Sequence, residues 1–198
     1  MNKEVVTKYL EFLNKREGYD AFEAYLFFNI APVIEGVKPA SLVRITNRLN
    51  FLTLWHDIKE RIKIYGIEHL ELKTHCGNSV VIFYNKEMLN EYVNRKDIKE
   101  FLDNIGYDNC STLDTMLENL KNKFHNTCPH EIGIFLGYPL EDTKEFIKNQ
   151  GKNCLLCGYW KVYNDEQSAR GIFQRYDNAK KTILNQIINR SVRNLYCI

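Results

Sequence analysis

A chain of 198 residues with 44% apolar and 26% charged side chains has the size and composition of one globular domain with its own core. A formal net charge of +2 supplies no overall field that would favour nucleic acid or a membrane surface as partner. The N-terminal stretch is amphipathic and mixed in charge, and the longest uncharged apolar run, Ala24 to Ile34, is too short to span a bilayer; no signal peptide or membrane partner is expected, and the expected location is cytoplasmic.

The apolar period predicts a first helix over 3–16, closed by Gly18, and a second capped by Asp20 that stops before Pro32. Residues 31–46 read as a connection followed by a short apolar run. Lys38, held before Pro39 in that turn, is a candidate ligand contact, with a solvated charge as the alternative. Asn50 is placed to cap a helix carrying Phe51, Leu54, Trp55, Ile58 and Ile62, ended by Gly66. Ile67–His75 and Ser79–Tyr84 read as strands joined by a tight Cys76-Gly77-Asn78 turn, an antiparallel hairpin whose apolar second strand suits a sheet interior. Three short helices follow, capped by Asn85, Asp97 and Ser111.

Cys128–Tyr163 concentrates prolines, glycines and cysteines. Ile132–Tyr138 reads as a strand, Leu140–Asn149 as a helix entered through Pro139 and closed by Gly151, and Leu155–Tyr163 as a second strand. Together they predict a right-handed βαβ unit near 131–163. A long amphipathic helix begins at about Asp165. From Gln167 onward it carries six basic residues (Arg170, Arg175, Lys180, Lys181, Arg190, Arg193) against one acid, Asp177. No groove-reading motif accompanies them, so nucleic acid is disfavoured as a partner. The expected fold is a single α/β (or α+β) domain over 1–198, a mixed sheet of four to five strands covered by helices.

The strings NIAPVIEGVKPASL, VIFYN, PHEIGIFLGYPLED, GYWKVY and NRSVRNL occur in order along nearly the whole chain. In them the sequence resembles a bacterial family found in anaerobic Firmicutes, the domain of unknown function 3793 family. The resemblance brings with it no activity, cofactor or catalytic residue. The family pattern stresses Pro129-His130-Glu131 and Gly158-Tyr159-Trp160-Lys161 rather than Cys128 or Cys154.

Six cysteines without a secretory signal read as reduced thiols, with Cys76, Cys110 and Cys197 as small apolar fillers. Cys128, His130, Cys154 and Cys157 include soft ligands, but only the Cys154-x-x-Cys157 pair has zinc spacing, so zinc is a weak expectation. On a strand, Cys157, Tyr159, Lys161 and Tyr163 would share one face, either covering a helix or walling a pocket. His130 and Glu131 would point to opposite sides, and the HExxH pattern is absent because position 134 is Ile. Gly133 and Gly137 leave room for a helix, the Trp160 ring or a ligand. No phosphate-binding glycine pattern occurs.

Two function classes follow. The first is a small-molecule binding protein or enzyme with a pocket around His130 and the Cys157/Tyr159/Lys161 face, its catalytic candidates being His130, Glu131, Cys157 and Lys161. Tyr138, Tyr159, Tyr163 and Lys38 are its binding candidates. The second is a regulatory or interaction module working through the basic C-terminal helix.

Overall fold

A nearly continuous apolar strand such as Asn78–Tyr84 carries apolar side chains on both faces of its sheet, so both need cover, and the chain supplies it with helices. The computed structural model describes residues 2–46, 51–59, 61–124 and 127–195. Strands β1 (Ala40–Thr46), β2 (Glu68–His75) and β3 (Asn78–Tyr84) form an antiparallel sheet in the order β1-β3-β2. The apolar β3 lies in the middle, as its composition predicts. The β2–β3 hairpin turns through Cys76 and Gly77, both at positive φ.

Val43, Ile45, Val81 and Phe83 face one core, shared with α2 (Gly18–Ile34) and α3 (Phe51–Ile58). Ala40, Leu72, Ile82 and Tyr84 face the other, shared with α4 (Lys86–Val93), α5 (Lys96–Leu102) and α6 (Leu113–Lys123). Helix α1 (Lys3–Leu13) is fixed by Tyr9, whose ring stacks on Phe28 at 3.8 Å. The long C-terminal helix α9 (Glu166–Leu195) starts where expected, with the Ser168 N–H donating to Asp165 Oδ1 at 2.9 Å. The result is a single domain of mixed helix and sheet.

Several boundaries differ from the sequence reading. Gly18 opens α2 rather than closing α1, and α2 runs through Pro32 to Ile34. Pro32 gives no N–H to the helix, which ends two residues later at Ile34. Gly36 at φ 63° then lets Val37 N–H reach back to the Pro32 carbonyl, with Gly36 N–H on Val33. The Lys38 N–H donates to the same Pro32 oxygen, which fixes where Lys38 leaves the turn. Arg95 precedes α5 and Thr112 caps α6 through a reciprocal box with Thr115, in place of Asp97 and Ser111. Asn50 and Cys197 lie outside the described residues.

The largest correction concerns 131–163, where no βαβ unit forms. Ile132–Phe135 is a short helix, α7, followed by α8 (Leu140–Lys148). Residues 132–136 are all buried. A short apolar run buried on every side has no readable period, so strand and helix look alike in sequence. Gly137 closes α7 at φ 74°, with Tyr138 N–H on the Gly133 carbonyl and Gly137 N–H on Ile134. The second expected strand folds back on itself. β4 (Leu156–Cys157) and β5 (Lys161–Val162) pair antiparallel around Gly158–Trp160. The expected mixed sheet of four to five strands is therefore a three-stranded antiparallel sheet plus a separate hairpin.

Gly137 is also where α7 meets the Lys38–Pro39 turn, since a Cβ there would overlap the Pro39 ring. Gly137→Ala combines left-handed backbone strain with that overlap and is expected to destabilise the protein by about 2–4 kcal/mol in urea unfolding.

Candidate functional site

The hairpin is tied to α8 through one carboxylate. Asp142, 4% exposed, accepts hydrogen bonds from Trp160 Nε1 at 2.8 Å, Tyr163 N at 2.9 Å, Asn164 N at 3.1 Å and Asn164 Nδ2 at 3.0 Å. Trp160 is thereby set against Phe173 of α9, ring centroids 4.6 Å apart, and stacked near Tyr138 at 5.2 Å. Gly158 allows this approach, because any Cβ there would collide with Phe173. Val162 and Trp160 join Ala169, Phe173 and Tyr176 in a small core of their own.

Between this hairpin, α7 and α8 lies a cavity of about 460 Å³. Pro129, Ile132, Tyr138, Phe146, Tyr159 and Trp160 give it a largely aromatic wall, and Cys128, His130, Thr143, Cys157 and Lys161 add polar groups. Cys157 and Lys161 are cross-strand partners, so the fold-back keeps both on the same face. Lys161 Nζ donates to the Gly151 carbonyl at 2.6 Å and lies 6.0 Å from the Phe146 ring centre. His130 meets the same ring edge-on at 5.4 Å. Thr143 is 4% exposed and its hydroxyl oxygen is buried without a hydrogen-bond partner.

The structure thus brings together six of the sequence candidates: Cys128, His130, Tyr138, Cys157, Tyr159 and Lys161. It keeps others apart. Glu131 does not line the cavity. It turns to Lys123, 2.9 Å away, and accepts from the Tyr107 hydroxyl at 3.4 Å. Tyr163 lies past the hairpin with its hydroxyl buried and unpaired. Cys154 stands outside the cavity, beside the exposed Leu155. Cys128, His130 and Cys157 share the cavity, yet among the described residues no three His, Cys, Asp or Glu side chains form a group that could hold a metal ion. Partial desolvation of the Cys128 thiol and the nearby Glu131 carboxylate also push its pKa up, away from the thiolate a metal requires. Of the occupants open to the two glycines, it is the protein that takes the room: Gly133 meets Thr143 of α8 and Tyr138, and Gly137 meets Pro39.

A smaller pocket of about 170 Å³ lies behind Tyr138 and Tyr159, which line both spaces. Lys38, Ser41, Asn29 and Lys180 face it. Lys38 is 5% exposed, which overturns the solvated-charge alternative. Its ammonium sits 5.1 Å from the Tyr138 ring centre and 5.6 Å from that of Tyr176. Burial, and then the charge of Lys180, push its pKa down to about 7. Burial also lowers that of Lys180, against the pull of Asp177. Tyr159 donates to Asp177 at 2.8 Å, and its pKa is raised, first by burial and then by that carboxylate.

Asp142, Thr143, Phe146, Trp160 and Lys180 were not candidates in the sequence. Asp142 reads there as a helix-start acid matched to the dipole. Lys180 had a usable signal: the spacing 176, 180, 183, 187 places it on the inner face of α9. Its burial also thins the basic outer face, as do the pairs Arg170–Glu166 at 2.6 Å and Arg190–Glu23 at 3.6 Å. The side chain of Arg193 lies outside those described.

Over residues 26–196 the chain matches the family described as Protein of unknown function (DUF3793), and it belongs to that family. No curated protein and no solved structure matches it. Among the described residues, no helix is long and apolar enough to cross a membrane.

Proposed function

We propose that this DUF3793 protein binds a small, largely apolar organic molecule in the cavity between α7, α8 and the hairpin, and does so in the cytosol. The observation that carries the reading is the union, in one cavity of about 460 Å³, of an aromatic wall with a few convergent polar groups. That volume and that mixture characterise sites for drug-sized ligands. Tyr138, Phe146 and Trp160 offer faces for a flat ring. Lys161 keeps two N–H groups beyond the one given to Gly151, and the unpaired Thr143 hydroxyl is a further donor. The one buried carboxylate on the wall, Asp142, already accepts four hydrogen bonds. The polar complement is therefore rich in donors and suits a ligand bearing carbonyl or carboxylate oxygens. His130 and Lys161 orient that end, and Cys157 lies across the hairpin from Lys161.

The test uses 1-anilinonaphthalene-8-sulfonate, a flat apolar anion whose fluorescence rises on burial. Saturable binding of one probe per chain is expected. Cys157→Trp, an exposed position on the cavity wall, should fill the space and weaken binding about ten-fold or more. Binding unchanged by that substitution, or no saturable binding to the folded wild type, would overturn the reading.

A further inference from the structure

The small pocket behind Tyr138 and Tyr159 has a different chemistry from the aromatic cavity. Two lysines from distant parts of the chain, one in the turn after α2 and one on α9, bring their side chains to a space of about 170 Å³. Both are more than nine-tenths buried. Among the described residues, no carboxylate and no hydrogen-bond acceptor pairs with the Lys38 ammonium, which has only the rings of Tyr138 and Tyr176. Lys180 lies 4.8 Å from the Phe28 ring centre and 5.1 Å from that of Tyr159. A buried charge is ordinarily paired; the Asp177 carboxylate offsets part of the burial of Lys180, whereas Lys38 has no such carboxylate and feels the like charge of Lys180 as well.

We propose that this pocket is a binding site for an oxyanion, a carboxylate or phosphate group, held between Lys38 and Lys180. An anion there supplies Lys38 with a counter-charge and lies within reach of the Lys180 ammonium, which lines the same space. The Ser41 hydroxyl, 4% exposed, lines the same space. The Asn29 amide donates one of its two N–H bonds to the Tyr25 carbonyl at 2.7 Å and retains the other. The volume holds a handful of water molecules at about 30 Å³ each, which matches a small anionic group and not a whole drug-sized ligand. Burial lowers the pKa of both lysines, and an anion between them would favour their charged forms. The other titratable groups facing the two lysines are the phenols of Tyr138, Tyr159 and Tyr176, each with its pKa raised by burial, and the Asp177 carboxylate, which is engaged by Tyr159.

The anion could be free, or it could be the head of a larger molecule whose body occupies the aromatic cavity beyond the two shared tyrosines. Isothermal titration of the full chain with inorganic phosphate, acetate and benzoate separates these sources. It is run in chloride at constant ionic strength near about pH 6.5, where the Lys38 ammonium is held protonated. Saturable binding of phosphate or acetate identifies a free anion, and saturable binding of benzoate alone identifies the head of a larger ligand. In either case Lys38→Met should weaken binding about ten- to a hundred-fold, the loss of one charge-assisted contact. Lys181→Met, exposed on the adjacent position of α9, should leave it unchanged. If Lys38→Met does not fold, Lys180→Met takes its place with the same expectation. No saturable binding of any of the three anions, or an affinity unchanged in the folded lysine variant, would overturn the proposal. Benzoate binding abolished by Cys157→Trp but indifferent to the lysine variant would overturn it too, while leaving the cavity reading intact.

Discussion

Asp142→Ala is expected to lower the unfolding free energy by about 3–5 kcal/mol, the largest effect of any single substitution outside the apolar cores. The carboxylate collects an indole N–H, two backbone N–H groups and a side-chain amide. Removing it leaves the buried Trp160 Nε1 and the Tyr163 and Asn164 N–H groups without an acceptor. Each orphaned buried donor costs about 1–3 kcal/mol, partly recovered where water can enter. Asp142→Asn should be milder, at about 2 kcal/mol, because one oxygen still accepts while the new amide opposes another donor. The damage should concentrate in the hairpin. Hydrogen exchange at Leu155, Gly158 and Tyr163 should quicken before exchange in β3 does. Urea unfolding and exchange of the two variants check this. A change below about 0.5 kcal/mol for the alanine variant would contradict the assigned role.

Lys38→Met should make the protein more stable at neutral pH and flatten its dependence on alkaline pH. The folded-state pKa is pushed below 10.5, to about 7. Between those values the unfolded chain holds a proton that the native state has released, so stability rises with pH across that window. Near and below pH 7 the native protein carries the buried charge, and the penalty is present in full. At about 1.4 kcal/mol per pH unit the limiting penalty is about 5 kcal/mol, and local relaxation reduces it to about half that. Methionine keeps the length and apolar stem without the charge. Denaturation at a series of pH values from about 6.5 to 9.5 should show wild-type stability climbing and the variant nearly level, with a smaller residual slope from Lys180. A saturating oxyanion should shrink the difference between the two proteins at neutral pH, since it binds the native wild type more tightly than the native variant.

The β2–β3 hairpin is legible in the sequence: the apolar run of β3 and the Cys76-Gly77 turn point to the pairing and to an interior position, because composition and turn chemistry are local properties. The pairing of β1 with β3 is not legible, since 40–46 reads only as a short apolar run after a connection. The α7 segment was not legible, since IGIFL is buried on all sides and has no polar face to reveal its period. The hairpin was hidden for a related reason. Leu155–Tyr163 has the composition of one strand, and what folds it back is a long-range event, the capture of Trp160 and the Tyr163 and Asn164 N–H groups by Asp142, twenty or so residues earlier. Cys157 and Lys161 still end on one face, because either route puts them there: as alternate residues of a single strand, or as cross-strand neighbours. Glu131 was lost because its direction depends on Lys123, a contact between separate elements. Lys38 entered as a residue in a constrained turn, but its burial came from α9 closing over it through Tyr176 and Lys180.

The central claim, a ligand cavity walled by the hairpin, is tested most directly through the two tryptophans. Trp160 lines the cavity, whereas Trp55 is fully buried in the core on the α3 side of the sheet, its Nε1 bonded to Glu71 at 3.0 Å. Their indole N–H resonances in a ¹⁵N-labelled sample therefore report the site and an internal control in a single spectrum. A panel of flat aromatic carboxylates should shift the Trp160 signal saturably and leave the Trp55 signal in place, with Cys157→Trp abolishing the response. A Trp160 resonance that stays fixed across the panel, or two indole signals that move together, would contradict the account.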